Sequence, residues 1–411
     1  MNDMRAGSLR FAPADPRLHF RTPLLKTPFH ARTSEANRLN DWVPWGGYTT
    51  SNSYEDVTAE YTAIRNQASL YDLCPMVKYA ISGPDAAAYC NRLTLRDAAK
   101  LKVGHVHYTA WCDDDGKVMD DGTLWRFSDT EYRLCCQERH LPWLLDSCLG
   151  FDVRVSEITE DVAALSLQGP CAYAVLKRAG FEAAGRLKPF AMADFPLGSG
   201  TLTVSRTGFT GDLGYELWTR PEQALELWDR LMEAGRTYGL RPIGSAALNM
   251  ARIEAGFIIT NIDFVASEQA LRADRRRSPF ELGLEWMMDF GKGHFNGRRT
   301  LLKEKQEGSS RYALVGLDID GNVAADHSLI HHGKKREVGQ VMSALWSPSA
   351  KRNIAIAVLE RPYHDVKAND LWVEIYAMRE LAYHKLMVKA RVCERPFFSP
   401  ARRRQTPPAE W

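Results

Sequence analysis

The run Ser205-Arg206-Thr207-Gly208-Phe209-Thr210-Gly211-Asp212-Leu213-Gly214-Tyr215-Glu216-Leu217-Trp218 constrains the fold of this chain more than any other stretch. Three glycines interrupt a strand-like alternation, which then resumes with Glu216 set between two apolar neighbours. Glycine allows positive φ and close approach of another backbone, so the run reads as a tight bulged turn feeding a strand. A carboxylate fixed beside such a turn can accept paired N–H donors from a planar heterocycle such as a pterin. The competing reading is a Gly-rich hairpin with a solvated glutamate. The order of turn and helix needed for a dinucleotide fingerprint is missing, so NAD and FAD are not indicated.

With 411 residues the chain is long enough for two or three domains, each with its own core. Lys+Arg 53 against Asp+Glu 51 leaves +2, a balance that argues for neither nucleic acid nor a membrane surface as partner. No apolar run reaches the roughly 18 residues of a spanning helix, and the first twenty residues lack the apolar core of a signal peptide. A cytoplasmic protein is expected. The cysteines are scattered without a C-x-x-C pair, and the adjacent Cys135-Cys136 would point to opposite faces of a strand. They read as reduced thiols, and no metal is expected. His327, His331 and His332 lie in a turn-like stretch without ligand spacing.

Periodicity predicts helices over Tyr54–Gln67, Pro84–Arg92, Cys171–Ala179, Pro221–Tyr238 and Ser245–Ala255, the last capped by Ser245 and stopped by Gly256. A hairpin is expected over His105–Val118 and Thr123–Cys136, turning near Asp113–Gly116. Lys303–Ser310 reads as a polar linker. Short alternating runs from Tyr312 to Arg391 then suggest a small β-barrel. The expected fold class is α+β. Residues 1–50 form an arm packed on the core through Trp42, Trp45 and Tyr48, 51–302 an α+β region of two subdomains, 311–396 the barrel, and 397–411 a tail with an exposed arginine run.

Several pieces carry a resemblance when taken in order: Ala68-Ser69-Leu70-Tyr71-Asp72-Leu73, Gly116-Lys117-Val118-Met119-Asp120-Asp121 and Leu167-Gln168-Gly169-Pro170, then Thr207 to Glu216, Ala251-Arg252-Ile253-Glu254-Ala255-Gly256, Phe295-Asn296-Gly297-Arg298-Arg299, and Ser347-Pro348. From about residue 25 to 395 the chain resembles the family of the glycine-cleavage T-protein, tetrahydrofolate-dependent aminomethyltransferases. The resemblance implies a cloverleaf of three subdomains around a central folate. It places Asp120 on the carboxylate beside the reactive nitrogens, Glu216 on the glutamate that grips the pterin, and Tyr108 on a tyrosine beside the folate. Met76 falls near a folate-contacting methionine, with Cys74-Pro75 replacing the family's Ser-His. Leu248 stands where the family has a folate-holding arginine. The longer aromatic arm and Ser278–Leu284 resemble the folate-dependent demethylases that act on dimethylsulfoniopropionate or methoxylated aromatic acids.

The expected reaction is therefore transfer of a methyl group from a small S-, N- or O-methylated donor to N5 of tetrahydrofolate. One alternative is aminomethyl transfer, which would require a lipoyl carrier protein as partner. A second is a folate-binding assembly or repair factor without catalysis; those relatives carry a cysteine motif where Glu254–Thr260 has none. Asp120 would stabilise charge at N5 or relay its proton, with Asp121 as runner-up, since strand neighbours face opposite ways. Trp42, Trp45, Tyr48, Trp111 and Trp125 would cage a cationic donor or stack on a ring, or else simply pack the core. For an ether donor, His105, His107 and Tyr108 are candidate acids. Arg252 either ties a helix end to the core or reaches the folate carboxylates. Arg275-Arg276-Arg277 reads as surface, with polyglutamyl folate as its alternative ligand.

Overall fold

The computed structural model describes residues 24–367 and 370–407. The expectations for residues 1–23 and 408–411 lie outside that range. The glycine-rich run is a turn between the strands Gly200–Ser205 and Gly214–Thr219, which pair Ser205 with Glu216. Its organiser is Gln168, at the end of the strand Ala163–Gln168. The Gln168 amide donates to the Thr207 and Tyr215 carbonyls at 3.3 and 3.4 Å and accepts from the Thr210 hydroxyl at 2.9 Å. A Cβ at Gly208 or Gly214 would come within 2.1 or 2.0 Å of Gln168 Oε1, so those two positions have no room for a side chain. Gly211 is the one with positive φ, +72°.

Two mainly antiparallel sheets carry the α+β region. One has six strands in the order Met192–Leu197, Gly200–Ser205, Gly214–Thr219, Ala163–Gln168, Ser69–Asp72 and Arg241–Pro242. The other has five: His105–Cys112, Val118–Arg126, Glu131–Cys136, Val77–Ser82 and Arg154–Glu157. They meet across a shared apolar layer that takes Val106, Trp125 and Cys135 from the second sheet and Tyr71, Ala164 and Trp218 from the first. Tyr61 and Ile64 of the helix Val57–Asn66, and Ala247 and Ala251 of the helix Ser245–Glu254, complete it. Asp56 caps the first of these helices by accepting from the Ala59 N–H at 2.8 Å. Six strands between Tyr312 and Cys393 close into the barrel. Leu345, Ile354, Ile356 and Val358 of the barrel pack against Ile253, Val118 and Phe295.

Several local expectations differ. The hairpin is a three-stranded meander, because Phe127–Thr130 form a second turn before Glu131–Cys136. Lys303–Ser310 is no linker: a helix runs over Arg298–Glu307, bracketed by Gly297 and Gly308 at positive φ. Only Leu301 of that helix is buried, so the amphipathic signal was too thin to read. Gly244 rather than Ser245 occupies the cap of the helix Ser245–Glu254, and the Ser245 hydroxyl pairs with Tyr71 at 3.1 Å. His331 and His332 lie in a barrel strand, Leu329–His332, with His331 Nε2 3.0 Å from Glu374. Two members of the arginine clusters are not simply surface. Arg277 is buried over the Tyr312 ring, and Arg402 pairs with buried Asp212 at 2.6 and 2.9 Å.

Candidate functional site

Alternation along the strand Val118–Arg126 sorts the two aspartates. Asp121, Thr123 and Trp125 share one face, and Trp125 lies in the layer between the two sheets. Asp120 points the other way and is fully buried. It accepts from the Asp121 N–H at 2.8 Å, the Glu138 N–H at 3.0 Å, the Thr260 hydroxyl at 2.6 Å and His140 Nε2 at 3.0 Å. Asp121 is half-buried, and the Tyr108 hydroxyl donates to it at 2.7 Å. Thr260 Oγ1 also lies 3.0 Å from Asp121, so its single hydrogen bridges the pair by donating to one carboxylate at a time.

Burial, and then the neighbouring Asp120, push Asp121 up to about 7, against the opposing hydrogen bonds from Tyr108 and Thr260. A carboxyl group poised there can take up and release a proton near neutral pH. Trp286 stacks on Tyr108 with ring centroids 6.3 Å apart and is 60% exposed, so the Tyr108 end of this site lies near the surface. Arg96 lies over the other ring system, 5.5 Å from the Trp286 centroid.

Glu216 lies in the six-stranded sheet two residues from Trp218. The Thr207 hydroxyl donates to its Oε2 at 2.6 Å, while Oε1 has no donor among the described residues. Burial pushes this carboxyl up to about 7, with Thr207 opposing. A buried carboxylate with a single donor suits a flat heterocycle that brings two more N–H groups. That is the chemistry of a pterin.

The structure brings Met76, Trp45 and Trp125 together on the layer between the sheets, where Leu248 also packs. Trp45 donates to Gln137 Oε1 at 3.2 Å and sits 6.0 Å from the Tyr71 ring. Tyr48 is buried on the strand Tyr48–Ser53. The other two tryptophans lie elsewhere. Trp42 bonds to Asn40 and packs near His30, and Trp111 is in the core on the Asp120 side, edge-on to His140. His105 and His107 alternate away from Tyr108 on their strand, and burial lowers His107 to about 4, which makes it a poor acid. The Arg252 guanidinium is buried among Asp263 at 2.5 Å, Ser343 at 2.8 Å, Asn249 at 2.7 Å and the Phe257 carbonyl at 3.1 Å. Every one of those partners belongs to the helix, the loop after it or the barrel.

Residues that sequence reasoning missed around the aspartates are Thr260, His140, Glu268 and Trp286; none lies in a patterned motif with Asp120, and only the folding of separate segments brings them there. Thr207 lies in the glycine-rich run itself, but its role as the Glu216 donor was not read from it.

Residues 30–292 match the GCVT N-terminal domain, and residues 313–399 the glycine cleavage T-protein C-terminal barrel domain. An aminomethyltransferase of Caldanaerobacter subterraneus subsp. tengcongensis is 30% identical over 84% of this chain and 90% of its own length. The trimethylamine-oxide aldolase of Ruegeria pomeroyi is 34% identical over 83% of this chain, which spans 44% of that protein. The crystal structure of glycine cleavage system aminomethyltransferase T from Bartonella henselae aligns with a TM-score of 0.80 at 21% identity. It covers 93% of this chain and all of that one, so the α+β cloverleaf with its C-terminal barrel is shared.

Proposed function

Because the chain belongs to the glycine-cleavage T-protein family, an enzyme family that carries one-carbon units on tetrahydrofolate, we propose that it moves a nitrogen-bound carbon to N5 of that cofactor, with Asp121 handling the proton. The observation that carries this reading is the Tyr108–Asp121 pair, a carboxyl group poised near neutrality on the face that also leads to the layer between the sheets. Tetrahydrofolate, when bound, supplies the nucleophilic nitrogen. Glu216 would hold the pterin through its open oxygen with Met76 as an apolar neighbour, while the fully buried Trp125 packs behind them. Asp121 would take the proton that N5 loses as its bond to the donor carbon forms and give it to the group that carbon leaves, a contribution of ~10²–10⁴-fold for general acid–base help. Alignment of the two reactants supplies much of the rest.

Nitrogen is favoured as the donor atom because the named relatives are aminomethyltransferases and a trimethylamine-oxide aldolase. The aminomethyl unit, presented by a lipoyl carrier protein, has more support from them than a bare methyl group on sulfur or oxygen. The free cysteines, none of them paired, support a reducing cytoplasmic setting. No helix among the described residues is long and apolar enough to cross a membrane.

The test is incubation with tetrahydrofolate and separate donors: an aminomethylated lipoyl carrier, N-methylated amines, a sulfonium and a methoxyaryl acid. Mass spectrometry of the folate then shows which donor yields a one-carbon product. A product from the carrier or an amine is expected. Product only from the sulfonium or the ether, or from no donor at all, overturns the reading.

A further inference from the structure

Behind Asp121, on the face turned away from the layer between the sheets, lies a second row of ionisable groups that the transfer itself does not use. His140 is 1% exposed. Its Nε2 lies 3.0 Å from Asp120 Oδ2 and its Nδ1 2.9 Å from Glu268 Oε1. Glu268 is 37% exposed at its side chain, so the row Asp121, Thr260, Asp120, His140, Glu268 runs from the Asp121 face of the strand to solvent. The remaining groups around the imidazole are few. Tyr79 accepts the His140 backbone N–H at 2.7 Å, Trp111 meets the ring edge-on at 5.7 Å, and Cys136 lies beside Asp120 with its thiol donating to the Glu138 carbonyl.

A neutral imidazole has one N–H and one lone pair, whereas His140 has a carboxylate oxygen close to each nitrogen: Nε2 is hydrogen-bonded to Asp120, and Nδ1 approaches Glu268 as an ion pair without hydrogen-bond alignment. Two flanking carboxylates favour a proton on both nitrogens. We propose that His140 is a positioning residue held as an imidazolium between Asp120 and Glu268, and that its positive charge behind the two aspartates keeps one proton between them rather than two. Asp121 is then free to change protonation state during the reaction. Burial alone would lower His140, but the contacts with Asp120 and Glu268 outweigh it and raise the group to about 9. Asp263 and Arg395 are the other charged groups that act on this end of the site, Asp263 on Asp121 and Arg395 on Tyr108.

The catalytic meaning of this arrangement rests on the folate reading, but the protonation states do not. The test therefore uses the full-length protein without folate, labelled with ¹⁵N-histidine and ¹³C-carboxyl aspartate and followed by NMR across pH. His140 is assigned by His140→Gln, and Asp121 by Asp121→Asn. Both His140 nitrogens are expected to be protonated at pH 7. In His140→Gln the Asp121 titration is expected to rise by about one unit, a tenfold change in proton affinity. Glu268→Gln, a change at a partly exposed side chain, should lower the His140 titration by a similar amount and covers the case in which His140→Gln does not fold. A singly protonated His140 at pH 7, an Asp121 titration unmoved in folded His140→Gln, or a His140 titration unmoved in Glu268→Gln overturns the proposal. Failure of the folate reading looks different: no donor yields product, and the NMR titrations are unaffected.

Discussion

Two carboxylates in this molecule are pushed up to about 7, both first by burial, and what else acts on them sets what each is good for. Asp121 has a like charge beside it and donors on it, so it can exchange protons. Asp121→Asn is expected to cut turnover by ~10²–10⁴-fold with little change in folate affinity, compared by steady-state kinetics and equilibrium binding. Glu216 has only Thr207 as donor and is raised chiefly by burial. Its shift is upward, so the free protein holds Glu216 protonated below about 7, whereas the folate-bound form needs the carboxylate. Folate binding should therefore weaken as pH falls through 7, with release of up to one proton, measured by calorimetry in buffers of different ionisation enthalpy. Glu216→Gln should bind more weakly and lose that pH dependence. The pairing of a glutamate with a glycine-rich turn was legible in the residues. The choice between Asp120 and Asp121 was not, because it depends on strand register: Ala110 opposite Asp121 and Trp111 opposite Asp120 set which face each side chain takes.

At the scale of elements, the site depends on a backbone approach that composition hides. Gly122 follows Asp121, and a Cβ there would lie 2.1 Å from the Cys135 carbonyl oxygen on the next strand. Gly122→Ala is expected to destabilise the protein by about 1–3 kcal/mol, read as a drop in Tm, because backbone and not a flexible side chain has to move. The helices Val57–Asn66 and Ser245–Glu254 were readable from apolar spacing, since each lays a broad apolar face on the layer between the sheets. The helix Arg298–Glu307 was not readable, because it buries one leucine and its remaining positions are mostly charged. The short strand Leu329–His332 escaped for a related reason. Four residues with two histidines give no alternation to recognise, and only closure of the barrel requires a strand there.

At the scale of the whole molecule, Glu254 is the knot. Its buried carboxylate accepts from Arg65 at 2.7 and 3.0 Å, from the Tyr61 hydroxyl at 2.7 Å and from Ser347 of the barrel, while its carbonyl accepts the Phe397 and Phe398 N–H groups. Arg65 continues to Asp212 at 3.4 Å, and Asp212 to Arg402 beyond the barrel. Replacing one partner leaves the others buried and unpaired. Glu254→Leu should therefore cost about 3–5 kcal/mol, seen as a lower midpoint in denaturant unfolding. The Ala-Arg-Ile-Glu-Ala-Gly piece advertised a helix end in the sequence. That its two charged side chains hold three units together was not visible, because their partners lie up to 193 residues away in the chain. Because one carboxylate ties a helix, the sheet region and the barrel, the three units are expected to come apart together rather than one after another.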